Sequence, residues 1–471
     1  MTVDYNRLTR HQLINWTLVF QLKSMQSYLS LNDIIEISQL NKLHRLKLEG
    51  QIFKTLTLAE LHFIKDPNYF MNYNKRSSYI FNSQAVGQYF KKLVSAGDDH
   101  NNYNPWVHGL RSQLKSFFQL TKVLKFSYFD KANYYIFPLT ALFNNLNQLR
   151  INGSWVSIYD FFMVINCLPN LELLEVNDVR FVKLLEKDLP IDKLFIPNSL
   201  KKLYYKDCFL ELNSIINPYK FLFNPPAKYR NNRISFDLPP HNLPNLKTLE
   251  YATQGELPSF ILMALNFNPQ LLNLKLQTKY FTLPVMEILT KSNKLKSLKL
   301  DYDTLDTEYM ESITIPSFPT IDSLHVTYVY SLNSHIIQKI CLACPNLTEL
   351  NLYMPDFNSK FISTILVTLR KLKSLQLSTD DEMMKMWDLT HYNVKYLTLK
   401  VKCSKETEIL LPAKKTKLMK ARILCSGGGD KMKIFEDMRW KYMGSSSWRI
   451  KMKGDWILVT RTASSISFVT V

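Results

Sequence analysis

Glycine is scarce in this sequence, 11 among 471 residues. That excludes folds built on many tight glycine turns. Cysteine is sparse and dispersed: the six are Cys167, Cys208, Cys341, Cys344, Cys403 and Cys425. The opening, MTVDYNRLTRHQLINW, has no apolar core of the signal-peptide kind. Scattered thiols in that context do not make a disulfide framework. No stretch reaches the ~18 uninterrupted apolar residues of a spanning helix. The chain is therefore expected to be soluble, away from membranes, and cytoplasmic or nuclear.

Acidic residues are in deficit, 40 against 59 Lys+Arg, a net charge of +19. Such a surplus can serve nucleic acid or an acidic partner. The lysines are spread along the chain, however, with no arginine-rich arm, no basic run of five, and no zinc-finger or RNP pattern. Specific nucleic-acid binding is not expected. A solvated, lysine-rich surface is, and it favours an acidic protein partner.

Catalytic motifs are lacking as well. There is no G-x-x-x-x-G-K-[ST], no G-x-S-x-G and no H-E-x-x-H. CSGGGDK (425–431) has three glycines but no Ser or Thr after its lysine, and reads as a flexible turn. Cys341 and Cys344 form a C-x-x-C without a second pair, which reads as two small buried residues near one helix face. The nine histidines show no metal spacing. No enzyme activity, cofactor or metal is expected.

What is there is a period. From about residue 120 one pattern returns: Leu, two residues, Leu, one residue, then another apolar residue. It appears as LNQLRI (146–151), LELLEV (171–176), LKKLYY (200–205), LKTLEY (246–251) and LLNLKL (271–276). It continues as LKSLKL (295–300), IDSLHV (321–326), LTELNL (347–352), LKSLQL (372–377) and VKYLTL (394–399). TKVLKF (121–126) and LMKARI (418–423) are weaker members at the ends. The fourth residues are Leu124, Leu149, Leu174, Leu203, Leu249, Leu274, Leu298, Leu324, Leu350, Leu375, Leu397 and Ala421, with gaps of 25, 25, 29, 46, 25, 24, 26, 26, 25, 22 and 24.

That spacing is the 20–29-residue period of leucine-rich repeats. Alternation of leucine makes a short strand with its leucines pointing one way. The following residues, such as VMEILTKSN (285–293) and SHIIQKICLAC (334–344), have helical periodicity. Each strand–helix unit buries its leucines only against its neighbours, so an α/β solenoid is expected, a horseshoe with parallel strands inside and helices outside. The long gap holds one repeat and an insertion near 224–242, rich in Pro and Asn, read as a loop. The Asn or Cys expected after the strand is replaced by other residues, such as Tyr302. The run LNSHIIQKICLACPNLTELNL (332–352) resembles the cysteine-containing, RNI-like repeats of F-box proteins.

The N-terminal stretch has another rhythm. WTLVFQLKSMQSYL reads as a first helix, and Asn32-Asp33 as the cap of a second, IIEISQLNKLHRLK, with Glu36 at capping-box distance from Asp33. A short element with Phe53 and Leu56 follows. The residues Tyr28, Leu29, Ser30, Asp33, Ile34, Ile37, Leu40, Arg45, Phe53 and Leu56 resemble the F-box pattern, without its leading Leu-Pro and with Phe53 where Trp is common. An F-box before leucine-rich repeats implies the substrate-recognition adaptor of an SCF-type (Skp–cullin–F-box) ubiquitin ligase. It also implies a Skp-type adaptor and a cullin as partners, with a protein substrate on the array. The same helices could instead cap the solenoid, leaving a recognition scaffold with no ligase link.

The division expected is an F-box-like helical unit over 1–58 and a connecting region or irregular first repeat over 59–118. About twelve repeats then fill 119–425, and a C-terminal cap with extra strands fills 426–471. Adaptor binding falls to Leu29, Leu31, Ile34, Ile37 and Leu40. Substrate binding falls to the outward strand positions Lys275, Gln277, Lys299, Asp301, His325, Thr327, Asn351, Tyr353, Gln376, Ser378, Thr398 and Lys400, in rows about 5 Å apart.

Overall fold

The computed structural model describes residues 23–26, 28–59, 111–112, 114–130, 133–182, 195–211, 233–253, 259–301, 307–381, 386–402, 406–412, 416–426, 431–443 and 447–462. The chain divides into two units: Met1–Pro239 with Thr253–Gly255, and Pro240–Ala252 with Glu256–Val471. Both are α/β, built on mostly parallel strands.

The described part of the first unit opens on one helical turn, Lys23–Gln26, the described piece of the stretch read as a first helix, and a helix pair follows. Helix α1 (Leu31–Leu40) is capped by Ser30, whose Oγ accepts the Asp33 N–H at 3.2 Å while the Ser30 N–H donates to Asp33 Oδ2 at 2.7 Å. The box is therefore Ser30 with Asp33, a correction to the pairing of Asp33 with Glu36. Asn41 is extended, ends α1, and caps helix α2 (Lys42–Ile52) by accepting the His44 N–H at 2.8 Å. The single helix expected over IIEISQLNKLHRLK is thus two, because an Asn side chain competes for backbone N–H groups better than it continues a helix. Ile34 and Leu48 are buried where the pair packs.

The chain then enters a parallel ladder. Strand β1 (Thr55–Ala59) pairs with β2 (Val123–Asp130), Leu56 opposite Leu124. A boundary at residue 58 falls inside β1. The ladder continues in chain order through β3 (Gln148–Ser157), β4 (Leu173–Val182) and β5 (Lys202–Lys206). Leu124, Leu149, Leu174 and Leu203 stand in one register and are at most 2% exposed. Helix α3 (Ile158–Asn166) joins β3 to β4, capped by Ser157. Behind the strands runs a file of rings, Phe126, Phe137, Phe161, Phe181 and Phe236, with successive centroids 5.8, 6.1, 5.0 and 5.0 Å apart.

Four residues past each repeat leucine of this unit the backbone turns left-handed: Tyr128, Gly153, Asp178 and Asp207 have φ of 54°, 57°, 50° and 47°. The turn lets β3 and β4 bend and pair again, Ser154 with Val179 through Ser157 with Val182. Beside it Asn177 Nδ2 donates to Asn152 Oδ1 at 2.9 Å. Cys208 fills the Asn/Cys position of its repeat, fully buried, its thiol directed at the Lys206 and Val176 carbonyls. The reading that this position carries other residues is corrected there. Strand β6 (Phe209–Glu211) lies parallel to β4 and antiparallel to β7 (Arg233–Ser235). Residues 233–235 of the 224–242 insertion are therefore strand rather than loop, 236–242 carry no regular element, and 224–232 lie outside the described residues.

In the second unit β8 (Thr248–Ala252), β9 (Asn273–Gln277), β10 (Ser297–Asp301), β11 (Ser323–Val326), β12 (Glu349–Tyr353) and β13 (Ser374–Ser378) run parallel in chain order. After β14 (Met386–Asp388) the ladder resumes with β15 (Tyr396–Lys402); β16 (Glu408–Leu410) pairs with β14 as a side ribbon, and β17 (Lys420–Ser426) follows β15. Helices α4 (Ser259–Phe267), α5 (Leu283–Lys291), α6 (Thr307–Ser312), α7 (Ser334–Leu342) and α8 (Ser359–Thr368) occupy the connections. Leu249, Leu274, Leu298, Leu324, Leu350, Leu375, Leu397 and Ala421 form one buried file, each at most 2% exposed. A leucine so placed contributes about 1.5–3 kcal/mol. Every one of the twelve leucine-rich segments thus carries a strand. After helix α9 (Lys431–Tyr442), β18 (Trp448–Lys453) and β19 (Trp456–Arg461) form a hairpin, and β19 lies antiparallel on β17. Among the described residues no helix is long and apolar enough to cross a membrane.

Candidate protein-recognition face

Strand alternation puts the leucines of the second unit inward and the residues between them on the other face. Lys275, Lys299, His325, Asn351, Gln376 and Thr398 stand directly opposite one another in that order. Gln277 pairs with Asp301, and Tyr353 with Ser378 and Lys400. Thr327 lies just past β11, where its N–H donates to the Leu300 carbonyl at 3.0 Å and its hydroxyl to Asp301 at 3.2 Å. All twelve side chains are half-buried. Glu250 opposite Lys275 and Arg422 opposite Thr398 extend the row and were not in the sequence-derived set. Their segments carry the same leucine pattern, so the same register finds them.

Charge along this row is uneven. Lys275 pairs with Glu250 and, at 2.8 Å, with Asp301, which also lies 3.8 Å from Lys299. Burial works against the Lys275 charge, but the hydrogen bonds it donates to Asp301 and Glu250 outweigh it and hold its pKa above the ordinary value. Lys299 is pulled below the ordinary value by burial, with Asp301 opposing and Lys275 adding to the shift. His325 is pulled down to about 4, first by burial, then by Lys299; Asp301 opposes, and Lys275 and Lys400 reinforce. It is therefore a neutral imidazole at pH 7. Tyr353 donates to the Asp380 carboxylate, which pushes its phenol up to about 12, and its ring meets Tyr328 edge-on at 4.9 Å.

The N-terminal residues separate. Leu31 is 53% and Leu40 68% exposed, while Leu29 and Ile37 are half-buried. Ile34 is buried between the helices, which corrects its assignment to a partner surface. Leu43 and Leu46, not singled out by the sequence, are exposed apolar residues of the same helix pair, and Tyr28, just before it, is exposed as well. The break at Asn41 turns Leu43 and Leu46 outward, and a continuous helix hides that signal.

The thiols Cys341 and Cys344 are free and buried, and burial pushes Cys344 up to about 12 and Cys341 higher still. Such thiols are inert packing groups. Cys403 and the glycines of CSGGGDK lie outside the described residues. Among the described residues no three His, Cys, Asp or Glu side chains are grouped to hold a metal ion. No family model and no curated protein matches this sequence.

Proposed function

We propose that this chain is the substrate-recognition adaptor of an SCF-type ubiquitin ligase, its N-terminal helix pair meeting a Skp-type adaptor that bridges to a cullin, and its leucine-rich-repeat strands holding a protein substrate. The observation that carries the recognition half is the register: twelve outward side chains on adjacent strands form ordered rows over a buried leucine file. Rows that mix amide, aromatic and charged groups suit a protein surface better than a uniform phosphate track. The adaptor half draws on the exposed Leu31, Leu40, Leu43 and Leu46, unusual solvent exposure for one short helix pair.

A second reading, a recognition scaffold with no ligase link, draws on Ile34 and β1. Buried Ile34 and a helix pair leading straight into the first strand of a ladder are also what a solenoid cap requires. Affinity purification separates the two. Under the adaptor reading a Skp-type protein and a cullin co-purify, and Leu31→Asp with Leu40→Asp abolishes this without unfolding the protein. Failure to recover either partner from cells that contain them favours the scaffold.

A further inference from the structure

The closing hairpin of the second unit does more than end the ladder. β17, β19 and β18 form three adjacent strands whose register places Lys420, Thr460 and Arg449 in one line, Arg422, Leu458 and Lys451 in the next, and Leu424, Trp456 and Lys453 in the third. Residues opposite one another share a face. The reverse face holds Ala421, Ile423, Ile457 and Val459, all buried. The front face therefore has a fixed layout: a stripe of Thr460, Leu458 and Trp456 on β19, between a cationic rail on β17 and another on β18. Arg422, Arg449, Lys451 and Lys453 are exposed, and Leu458 and Trp456 are half-buried. Lys400, opposite Leu424 on β15, extends the positive field toward His325.

Among the described residues of these strands nothing acidic interrupts it. None of the residues of β15, β17, β18 or β19 is Asp or Glu. The turn of the hairpin carries Asp455, which is held by Lys431 at 2.5 Å. Among the described residues, Lys400, Lys420, Arg422, Arg449, Lys451 and Lys453 have no carboxylate partner. The opposite end of the same ladder differs, since Lys275 there is already neutralised by Glu250 and Asp301.

We propose that this face binds an extended acidic segment of a partner protein, one in which Asp or Glu alternates with apolar residues. The rails lie two strand spacings apart, about 9.6 Å, and the cations repeat every second residue, about 7 Å. An extended peptide has the same two-residue repeat. Its apolar side chains lie on the Leu458–Trp456 stripe and its carboxylates reach the rails. A single-stranded nucleic acid would need several aromatic platforms for its bases, and the stripe offers one. Adaptor binding plays no part in this, so the two readings fail separately.

The test uses the purified full chain and a fluorescein-labelled peptide of alternating Glu and Leu. Comparison probes are the same peptide with Ser for Leu and an oligo-dT of equal charge. Arg449→Glu, Lys451→Glu and Lys453→Glu together reverse one rail at exposed positions. Lys291→Glu, Lys294→Glu and Lys360→Glu, exposed on the helix side, form the charge-matched control. The rail variant is expected to lose tenfold or more in affinity for the Glu–Leu peptide with unchanged melting temperature, the control less than twofold, and the Ser peptide to bind several-fold more weakly than the Leu peptide. Equal affinity of rail variant and wild type overturns the proposal. So does equal binding of the Ser and Leu peptides, which would leave charge alone, or tighter binding of oligo-dT, which would make the face a nucleic-acid surface.

Discussion

The two units share one repeat and use it differently. In the first, a left-handed residue after the strand lets the chain bend and pair a second time, and strands β3 and β4 reach ten residues each. In the second, Tyr328 is left-handed at the same place, four residues past Leu324 with φ 57°, but strands of four or five residues run from β8 to β13 and helices take up the connections. Both ladders bury a leucine file; behind the first runs in addition a file of five phenylalanines, behind the second a shorter cluster of Tyr251, Phe260 and Tyr280.

Removing the filling breaks the comparison most severely. Phe161 is fully buried against Phe137, Phe162 and Phe181, and Phe161→Ala is expected to cost about 3–5 kcal/mol in urea unfolding. Leu350→Ala in the second unit is expected to cost about 2–4 kcal/mol, less than the ring deletion because a leucine file leaves the smaller cavity. A larger loss for Leu350→Ala would show that the aromatic file is not the weightier core.

The bend itself can be tested at glycine. Gly153 has φ +57°, and a Cβ added there would lie 2.5 Å from Tyr128 Cδ1, whereas Gly454 has φ +58° and open space. Gly153→Ala is expected to cost about 2–3 kcal/mol and Gly454→Ala about 1 kcal/mol. In a Tyr128→Ala background the gap should close, a coupling that a thermal-denaturation double-mutant cycle reads directly.

A smaller effect belongs to the second unit alone. The unfolded His325 takes up a proton near 6.5, the folded one only near 4. Between those values the unfolded state binds more protons, so stability falls as pH drops from about 6.5 to about 4 and levels off below. Allowing for partial solvent exposure, the loss is about 1–2 kcal/mol. His325→Asn should flatten that part of the pH–stability curve. The smallest effect is local: Ser30→Ala removes the α1 cap and should speed amide exchange in its first turn about fivefold, leaving both ladders untouched.

Much of this fold is readable from leucine spacing, because a strand buried on one face must alternate and a stacked unit must repeat. The twelve outward residues follow from the same alternation. Strand β1 is not readable that way: TLTLA lies 68 residues before its in-register partner, off the period, so only the pairing of Leu56 with Leu124 reveals it. The left-handed turns are masked for a different reason. Tyr128, Asp178, Asp207 and Tyr328 occupy a conformation that sequence patterns associate with glycine. Nor does the net charge disclose the two rails, which arise only when a hairpin folds Arg449, Lys451 and Lys453 beside β17.

The reversal at β19 has a consequence for the number of units. From β9 to β13 every boundary looks like the next, one leucine opposite another, so a unit copied or lost there leaves a chain that still closes. At β17 the partner runs the other way, and a unit inserted after it would face a strand of the wrong polarity. The interior of this ladder is thus open to a change in the number of units without a change of polarity, and the β17–β19 junction is not.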